Sequence, residues 1–441
     1  MKKLNVSCPS GFPEWTPSQK RIEENWIHII REVFESYGFF PIETPLVERE
    51  ENLLAKGGNA KEMYALKRIL DDPNDASSHS GNALRFDLTV PLALYVARHL
   101  NEIAFPFRRY AIGSVMRGER AQHGRFRQFT QCDIDVIGFE ELSLANDALM
   151  PAIIIGIFEK LNIGDFVVRI NNRKILKGLH AFIGGTQGKE SEMLQAVDNL
   201  DKGNVNDSPS EAAAILLELQ NCKTMKDLKK HKASQNMLFA EGVHEVEEIF
   251  ICLESMGVNK NRIQLDPKIA RGLDYYTGTV FETNLINADG SLNTALGSIC
   301  SGGRFDDLAG IFTGKKLPGV GISIGLTRLL SKLFEANILH TDESAPSDVL
   351  VIALNKNCIQ EALGIGNSVR SLGYRTENYL EEKKVGKQFE YANKLNIPYC
   401  MVIGEDEIKK NMVQIKNMKT GIQEEVATKN LKKKFQEWME K

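Results

Sequence analysis

The residues best suited to chemistry lie between positions 108 and 135 of the 441-residue chain. Within 20 residues the chain carries one acid and six arginines, which are Arg108, Arg109, Arg117, Arg120, Arg125 and Arg127. Arginine is suited to fixed, bidentate contacts with phosphate. An alternating segment follows, with Gln131, Asp133 and Asp135 on one side of a strand. The pattern predicts a site for a polyanionic phosphate beside a cationic small molecule, although a half-solvated sheet face explains the alternation equally well.

Other stretches add polar side chains of the same kind. The run Arg271-Gly272-Leu273-Asp274-Tyr275-Tyr276 joins a guanidinium to two phenols. Asp87 and Thr89 flank Leu88, and an extended backbone would place both polar side chains on one face. For the two tyrosines, a strand pair with one ring buried and one exposed explains the sequence as well as a site does.

Composition and charge limit the class of protein. The hydrophobic fraction of 42% and the charged fraction of 26% are ordinary for a globular chain, and no apolar run approaches the ~20 residues of a membrane span. The seven cysteines lack CxxC spacing and the eight histidines lack metal-ligand spacing, so we expect reduced thiols, a cytoplasmic location and no structural metal. A net charge of −3 gives no global sign of nucleic-acid binding.

Local patterns predict the elements that must position these residues. A helix with an apolar stripe is predicted at 17–37, followed by Gly38. Pro91 opens a second amphipathic helix. Antiparallel strands at about 105–116 and 125–138 flank the arginine-rich turn, because glycines interrupt any helical run there.

The chain is long enough for two or three domains. We expect a catalytic domain over residues 1–340, interrupted by a mostly helical insertion at about 176–257. A linker at 341–347 contains Ser344-Ala345-Pro346-Ser347. Beyond it, strands alternate with helices over 348–441, which predicts a separate α/β domain with a largely parallel sheet.

The arginine-rich run and the strand after it resemble motif 2 of the class II aminoacyl-tRNA synthetases. Residues 131–138 and 271–276 are similar to the histidyl members of that family, and the glycine-rich strand before Arg328 looks like motif 3. The helix at 17–37 with Gly38 and Pro45 resembles motif 1, which implies a dimer interface. The resemblance covers essentially the whole chain. It implies an α/β fold class, with an α+β catalytic domain on a mainly antiparallel sheet and a C-terminal α/β anticodon-binding domain.

The same resemblance implies roles for individual residues. Arg117 and Arg271 would be catalytic, with Arg117 on the α-phosphate of ATP and Arg271 facing both that phosphate and the amino acid's carboxylate. Glu119 would contact adenine and Arg328 the γ-phosphate. The implied histidine-binding residues are Asp87, Leu88, Thr89, Arg117, Gln131, Asp135, Arg271, Tyr275 and Tyr276.

The resemblance also implies substrates and partners. L-Histidine would react with ATP to give histidyl-adenylate and diphosphate, and transfer to tRNA(His) would release AMP. Mg²⁺ would accompany the triphosphate with no protein ligand assigned, and we expect a homodimer without membrane association. Candidates for the tRNA acceptor end are Arg120, Gln122, His123, Gly124 and Arg125, and candidates for the anticodon stem are Lys383, Lys384 and Lys387.

Two other functions compete with this one. The chain could be a non-catalytic, synthetase-like regulatory subunit of histidine biosynthesis, but such subunits generally lack an anticodon domain and this chain retains Arg117, Arg271 and Arg328. An RNA-binding regulatory module of the same fold is the third class, and the lack of extra domains argues against it.

The chain departs from the family pattern at two positions. Phe305 stands where the family has tyrosine, so one hydroxyl and its contact are lost. Thr327 precedes Arg328 where an acid is common, which would weaken an ion pair that orients the arginine.

Overall fold

The computed structural model describes residues 4–55, 62–67, 81–120, 124–201, 210–271, 275–306, 308–341 and 345–439. The chain divides into two compact units. The first unit contains Met1–Thr16 and Lys20–His340, and the second contains Pro17–Gln19 and Thr341–Lys441. None of the helices in these described ranges has the length and apolar character needed to cross a membrane.

The secondary structure up to residue 335 alternates between strands and helices. In chain order the elements are α1 (Pro17–Ser36), β1 (Phe40–Pro41), β2 (Val47–Arg49), α2 (Glu50–Leu54), β3 (Asn82–Leu84), α3 (Thr89–Arg98), β4 (Phe107–Met116), β5 (Gln128–Ile137), α4 (Ala145–Leu161), β6 (Phe166–Asn172), α5 (Arg173–Phe182), α6 (Glu190–Asp201), α7 (Ser210–Glu218), α8 (Met225–Lys230), α9 (Met237–Ser255), β7 (Ile263–Leu265), β8 (Thr279–Leu285), β9 (Cys300–Phe305), α10 (Gly310–Thr313), β10 (Gly319–Gly325) and α11 (Leu326–Glu335).

Within the described part of the chain, eight strands form one sheet in the order β1-β4-β5-β10-β9-β8-β6-β7. Only its two edge pairings, β1 with β4 and β6 with β7, are parallel. The prediction of a mainly antiparallel sheet is therefore confirmed. A separate ladder pairs β2 with β3.

One face of this sheet is covered by helices and forms the main apolar core. The helix α4 is apolar around nearly its whole circumference, which is typical of a helix buried on all sides. It packs with α1, α9 and α11 against the alternate residues Cys132, Ile134 and Val136 of β5, all fully buried. Because side chains alternate along a strand, the polar residues of β5 must face the other side of the sheet.

Residues between β6 and β7 form helices with an apolar core of their own. The helices α5 to α9 bury Leu179, Val197, Ile215 and Phe239, among others, in one cluster. The N-terminus of α8 has a capping box between Thr224 and Asp227. These helices are thus a compact addition to the sheet rather than a long connecting loop.

The second unit has its own sheet. Its elements are β11 (Val349–Ala353), α12 (Ile359–Ser371), β12 (Thr376–Tyr379), α13 (Val385–Lys394), β13 (Tyr399–Ile403), α14 (Glu405–Lys410), β14 (Met412–Asn417), β15 (Gln423–Ala427) and α15 (Leu431–Met439). The strand order is β12-β11-β13-β14-β15. Only the first three strands are parallel, so the expectation of a largely parallel sheet holds for half of the pairings. The last two strands pair antiparallel because a short hairpin joins them.

A buried ion pair joins the sheet to α4. Arg304 in β9 lies with its Nη2 2.6 Å from Oδ2 of Asp147, and its Nε donates to Oδ1 of the same carboxylate at 3.1 Å. Asp147 is fully buried and Arg304 is 8% exposed. The guanidinium also donates to the carbonyl oxygens of Leu142 and Ser143. One arginine thus fixes where the first turn of α4 meets the sheet.

We expect Asp147→Ala to lower the free energy of unfolding of the first unit by about 3–5 kcal/mol, because it leaves a buried guanidinium without its carboxylate. Native-state hydrogen exchange of the amides in α4 and β9 measures this loss. The matched control is Asp165→Ala, which removes an exposed partner of Arg262 and should cost less than about 1 kcal/mol. Equal losses in the two variants would contradict the importance of the buried pair.

Candidate active site

A cavity of about 680 Å³ opens on the polar face of the eight-stranded sheet. Its lining residues come from the ends of α3 and α11, from β5, β9 and β10, and from the loops between them. They are Glu62, Asp87, Thr89, Arg117, Glu119, Arg120, Gly124, Arg125, Phe126, Phe129, Gln131, Asp133, Asp135, Asp198, Arg271, Tyr275, Tyr276, Ser298, Ile299, Cys300, Ser301, Phe305, Gly321, Ile322, Ser323, Gly325 and Arg328.

The floor of the cavity is the polar face of β5 beside β10. Gln131 and Asp133 pair in register with Gly325 and Ser323, and Asp135 lies opposite Gly321. A Cβ atom at Gly321 would lie 1.9 Å from the Asp135 carboxylate, so only glycine leaves that carboxylate room. Small residues on β10 thereby make space for large polar residues on β5.

Buried acceptor atoms gather on this floor. Asp87 Oδ2, Gln131 Oε1 and Asp133 Oδ1 are buried and have no hydrogen-bond partner among the described residues. Asp135 lies with Oδ2 2.6 Å from Nη2 of the fully buried Arg109. Buried polar atoms without partners are costly, so this set favours a ligand that brings N–H donors.

The acids also have shifted pKa values. Burial raises the pKa of Asp133 to about 6, although the nearby Arg109 acts in the opposite direction. Burial likewise raises the pKa of Asp87 and Asp135, again against the pull of Arg109. A bound cation would restore the charged form of these carboxyls, because an opposite charge lowers the pKa of an acid.

Arginines also line the cavity. The guanidinium of Arg117 lies over the ring of Phe129, and its Nε donates to the carbonyl of Phe86 at 3.0 Å. Arg328 follows β10 in the first turn of α11, and its buried Nε has no hydrogen-bond partner among the described residues. Burial and the nearby Arg125 lower the pKa of Arg328, which identifies a site that would gain from an anion.

Arg271 is held from behind by a carboxylate. Its Nη1 donates to Oε1 of Glu282 at 2.9 Å, and the other oxygen of Glu282 accepts from Arg169 at 2.9 Å. Burial would lower the pKa of Arg271, but Glu282, Tyr276 and Asp198 together raise it above the ordinary value. The guanidinium therefore enters the cavity as a fixed positive charge.

Two phenols in an edge-to-face arrangement line the cavity. Tyr275 and Tyr276 are both buried, with ring centroids 4.7 Å apart, and they precede β8 instead of lying within it. The alternative of a strand with one exposed tyrosine is thus wrong. Burial raises the pKa of each phenol, which keeps both as hydrogen-bond donors at neutral pH.

Most of the predicted site residues are brought together here. All except Leu88 line the cavity, although they come from five separate segments of the chain. The side chain of Leu88 packs with Ala111 and Val115, and its carbonyl accepts from Arg109 at 2.9 Å. The backbone at 87–89 does not continue as a strand, because α3 begins at Thr89. Asp87 accepts from the backbone N–H of Val90 at 3.1 Å, and this local bond starts α3 at Thr89.

The arginine-rich run does not act as one phosphate-binding cluster. Arg117, Arg120 and Arg125 line the cavity, whereas Arg109 pairs with Asp135. Of the other two, Arg108 donates to Asn146 and Arg127 to the carbonyl of Glu119. Arg108 and Arg109 are neighbours on β4, so strand alternation sends their side chains to opposite faces of the sheet. Gln122 and His123, predicted at the tRNA end, lie outside the described residues, and Gly124 lines the cavity.

Some cavity residues had no predicted role. Asp133 lies between Gln131 and Asp135 on one strand face, so the alternation itself was the signal. Arg109 lies opposite Asp135 in the β4–β5 ladder, which only the register reveals. Asp198 comes from α6 in the helical insertion, and no local pattern connects it to the site.

The two departures from the family pattern have clear structural settings. Phe305 is buried at the cavity wall, with its ring 6.2 Å from that of Tyr275, so it packs where a hydroxyl would need a partner. Thr327 accepts through Oγ1 from the backbone N–H of Thr130 at 2.8 Å. It ties α11 to β5 and does not orient Arg328 by charge.

A sheet of this order with arginines and acids across one cavity has the arrangement expected of a class II aminoacyl-tRNA synthetase. The family model "Histidyl-tRNA synthetase" matches residues 11–329, and the model "Anticodon binding domain" matches residues 348–438. The chain therefore belongs to the histidyl-tRNA synthetase family.

Individual relatives agree with this assignment. The chain is 44% identical to the histidine–tRNA ligase of Nostoc punctiforme, over 97% of each chain. It is 42% identical to that of Clostridium tetani, over 97% of this chain and 98% of the other. The crystal structure of histidyl-tRNA synthetase from Nostoc sp. PCC 7120 superposes with a TM-score of 0.82 at 43% identity, covering 99% of this chain and all of that one.

The pKa of Asp133 predicts a pH dependence of amino-acid binding. An ammonium group binds the ionised carboxyl, so lowering the pH through about 6 should protonate Asp133 and weaken the binding of L-histidine. We expect the Kd of Asp133→Asn to exceed the wild-type Kd about tenfold above pH 7, and the ratio to approach 1 below about pH 5. Calorimetric titration measures both.

The ratio of the two Kd values reports the titration of Asp133 alone, because the imidazole of the ligand titrates identically in both experiments. Asp165→Asn is the control, since its carboxylate lies on an exposed surface loop. A Kd ratio that does not change with pH would contradict a role for Asp133 in binding the ammonium group.

Proposed function

We propose that this chain attaches L-histidine to tRNA(His) through a histidyl-adenylate. One observation carries the proposal. A single cavity combines Arg117, Arg271 and Arg328 with buried acceptors that need a cation, and ATP beside an amino acid requires both kinds of group. Membership of the family supports the same reaction.

In the first step the histidine carboxylate attacks the α-phosphorus of ATP and diphosphate leaves. The protein supplies position and charge rather than covalent chemistry. Arg117 would bind the α-phosphate, Arg328 the γ-phosphate end and Glu119 the adenine. Arg271, fixed by Glu282, would face the α-phosphate and the attacking carboxylate, where negative charge concentrates in the transition state.

The acid side of the cavity would select histidine. Asp87, Thr89 and Gln131 would hold the α-ammonium group, and the Asp133 carboxylate on the same strand face as Gln131 would add a further acceptor. Asp87, Gln131 and Asp133 each have a buried oxygen without a hydrogen-bond partner among the described residues. Asp135 and Tyr276 would bind the imidazole nitrogens. A site built from polar pairs rejects side chains that leave those pairs unmatched, by ~10⁴-fold or more.

Mg²⁺ would enter with the triphosphate. Among the described residues, no group of three or more His, Cys, Asp or Glu side chains could hold a metal. Mg²⁺ would be bound mainly by phosphate oxygens and water, which is its usual coordination in phosphate-transfer enzymes. Its contribution would be to neutralise charge on the leaving diphosphate.

We also propose the division of labour between domains. Residues 1–340 would catalyse adenylation and transfer, with the helical insertion at about 176–257, and residues 341–347 would link them to the anticodon-binding domain at 348–441. A cavity of about 390 Å³ lies beyond the ends of β11 and β12 and is lined partly by Lys383. Ligands of parallel sheets commonly bind at such ends of strands.

A cytoplasmic homodimer is part of the same proposal. The edge strand β1 leaves Phe40 69% exposed, and Tyr37, Leu46 and Val47 nearby are also exposed. An open edge strand with apolar side chains is suited to a second copy.

The rival function, a regulatory subunit of histidine biosynthesis, has less support. Residues 348–438 match an anticodon-binding domain, which such a subunit has no reason to keep. The three cavity arginines are also all present.

Histidine-dependent ATP–diphosphate exchange tests the proposal. We expect exchange with histidine but with no other standard amino acid, and a ~10²–10³-fold lower kcat in Arg271→Ala because a fixed transition-state charge is lost. Arg262→Ala is the matched control, since Arg262 pairs with Asp165 outside the cavity. A folded, ATP-binding protein without exchange would make the regulatory subunit the better reading.

The anticodon domain gives a separate prediction. Replacing Lys383, Lys384 and Lys387 together with alanine should raise the KM for tRNA in aminoacylation and reduce its salt dependence, because phosphate contacts are lost. Exchange without tRNA should stay unchanged. Lys409→Ala with Lys410→Ala, on α14 of the same unit, is the control, and an equal effect there would refute a specific role for the first three lysines.

A further inference from the structure

The junction of β6 and α5 is built around one buried arginine. Arg173 is the first residue of α5 and is 2% exposed. Its Nε donates to the carbonyl of Ala270 at 3.0 Å, its Nη2 to that of Arg271 at 2.7 Å and its Nη1 to that of Tyr276 at 2.7 Å. Its backbone N–H donates to the carbonyl of Gly278 at 2.9 Å. One residue thus binds both sides of the segment that carries Arg271 and the two tyrosines.

That segment needs external support. Arg271 has a φ of 58°, a left-handed conformation that residues other than glycine adopt only when their surroundings impose it. Upstream of it, Asn171 donates to the carbonyls of Pro267 and Ile269. The side chain of Arg271 is held by Glu282, but its backbone position depends on the carbonyl bond from Arg173.

The chemistry of the contact favours arginine over other residues. A guanidinium is planar and presents five donors in a fixed fork, so it can reach three carbonyls in different directions. Lysine has a single ammonium centre on a flexible stem and cannot reproduce that geometry. Burying a charged guanidinium to bind backbone carbonyls costs free energy. The contact therefore serves to position the backbone accurately rather than to stabilise the fold.

We propose that Arg173 is a positioning residue for adenylation: its guanidinium sets the backbone of Arg271 and Tyr276, and through it the place of the Arg271 charge and the Tyr276 phenol in the cavity. This inference rests on the role proposed above for Arg271. Arg173 itself does not line the cavity and contacts no substrate there.

The position of Arg173 in the chain has a second consequence. It begins α5, the helix that leads into the helical insertion, and α5 packs tightly on α9. A Cβ atom on Gly178 of α5 would lie 2.5 Å from the backbone of Phe239, which shows how close the two helices are. A shift of α5 would therefore move Arg173 and with it the carbonyls of Ala270, Arg271 and Tyr276 that it binds.

A double-mutant cycle on the full-length protein tests the inference. Exchange kinetics are measured for wild type, Arg173→Lys, Arg271→Ala and the double variant. We expect Arg173→Lys to lower kcat by ~10–100-fold through misplacement, with the KM for ATP changed less than about twofold. In the Arg271→Ala background the same substitution should cost little more, because residues acting through one another are not additive. Arg173→Gln replaces Arg173→Lys if the latter does not fold.

Arg304→Lys provides the matched control, because Arg304 is also buried and also binds backbone carbonyls. Any fold-loss of kcat in Arg304→Lys should multiply with the fold-loss of kcat in Arg271→Ala, as expected for residues that act independently. Wild-type kcat in Arg173→Lys, or a loss that multiplies fully with Arg271→Ala, would overturn the inference while leaving the proposed function intact. Wild-type kcat in Arg271→Ala would instead overturn the proposed role of Arg271, and the inference with it.

Discussion

The cavity depends on buried charged and polar groups that the protein does not pair with one another. Acids of β5 and arginines of the loops line the same cavity, and a site in which every such group was paired internally would offer a ligand nothing to bind. Among the described residues, Asp135 is paired with Arg109, and Glu119 lies 3.7 Å from Arg125. The remaining buried acceptors and the Arg328 guanidinium keep unused hydrogen-bonding capacity, which substrates can satisfy.

The same constraint explains the rest of the scaffold. Unpaired charge is tolerated only if the backbone cannot move to relieve it. Buried ion pairs at Arg304–Asp147 and Arg169–Glu282 lie behind the cavity and join strands to helices and to one another. Arg173 extends this system to the loop of Arg271 by binding carbonyls instead of carboxylates. Each of these three buried arginines is paired with a carboxylate or hydrogen-bonded to carbonyls, as buried charges must be.

The helical insertion belongs to this system more closely than its sequence indicates. It contributes Asp198 to the cavity lining, and Arg173 begins α5, the helix that leads into it. The family resemblance accounts for the sheet, the arginines and the anticodon domain, but it assigned no role to these two residues.

The sequence by itself predicted the family, the mainly antiparallel sheet and eleven site residues. Ten of these eleven residues line the cavity. The resemblance of the motifs to the family implied the site residues, while alternation and glycine positions indicated the strands that carry several of them. Only the tertiary structure showed that Arg109 forms an ion pair with Asp135. It also showed that the Leu88 side chain packs in an apolar cluster and that Asp87 accepts a hydrogen bond from the first turn of α3. It alone brought Arg173 to the Arg271 loop, about a hundred residues away in sequence. Register and long-range hydrogen bonds join residues that no sequence window contains, so no local pattern could have predicted them.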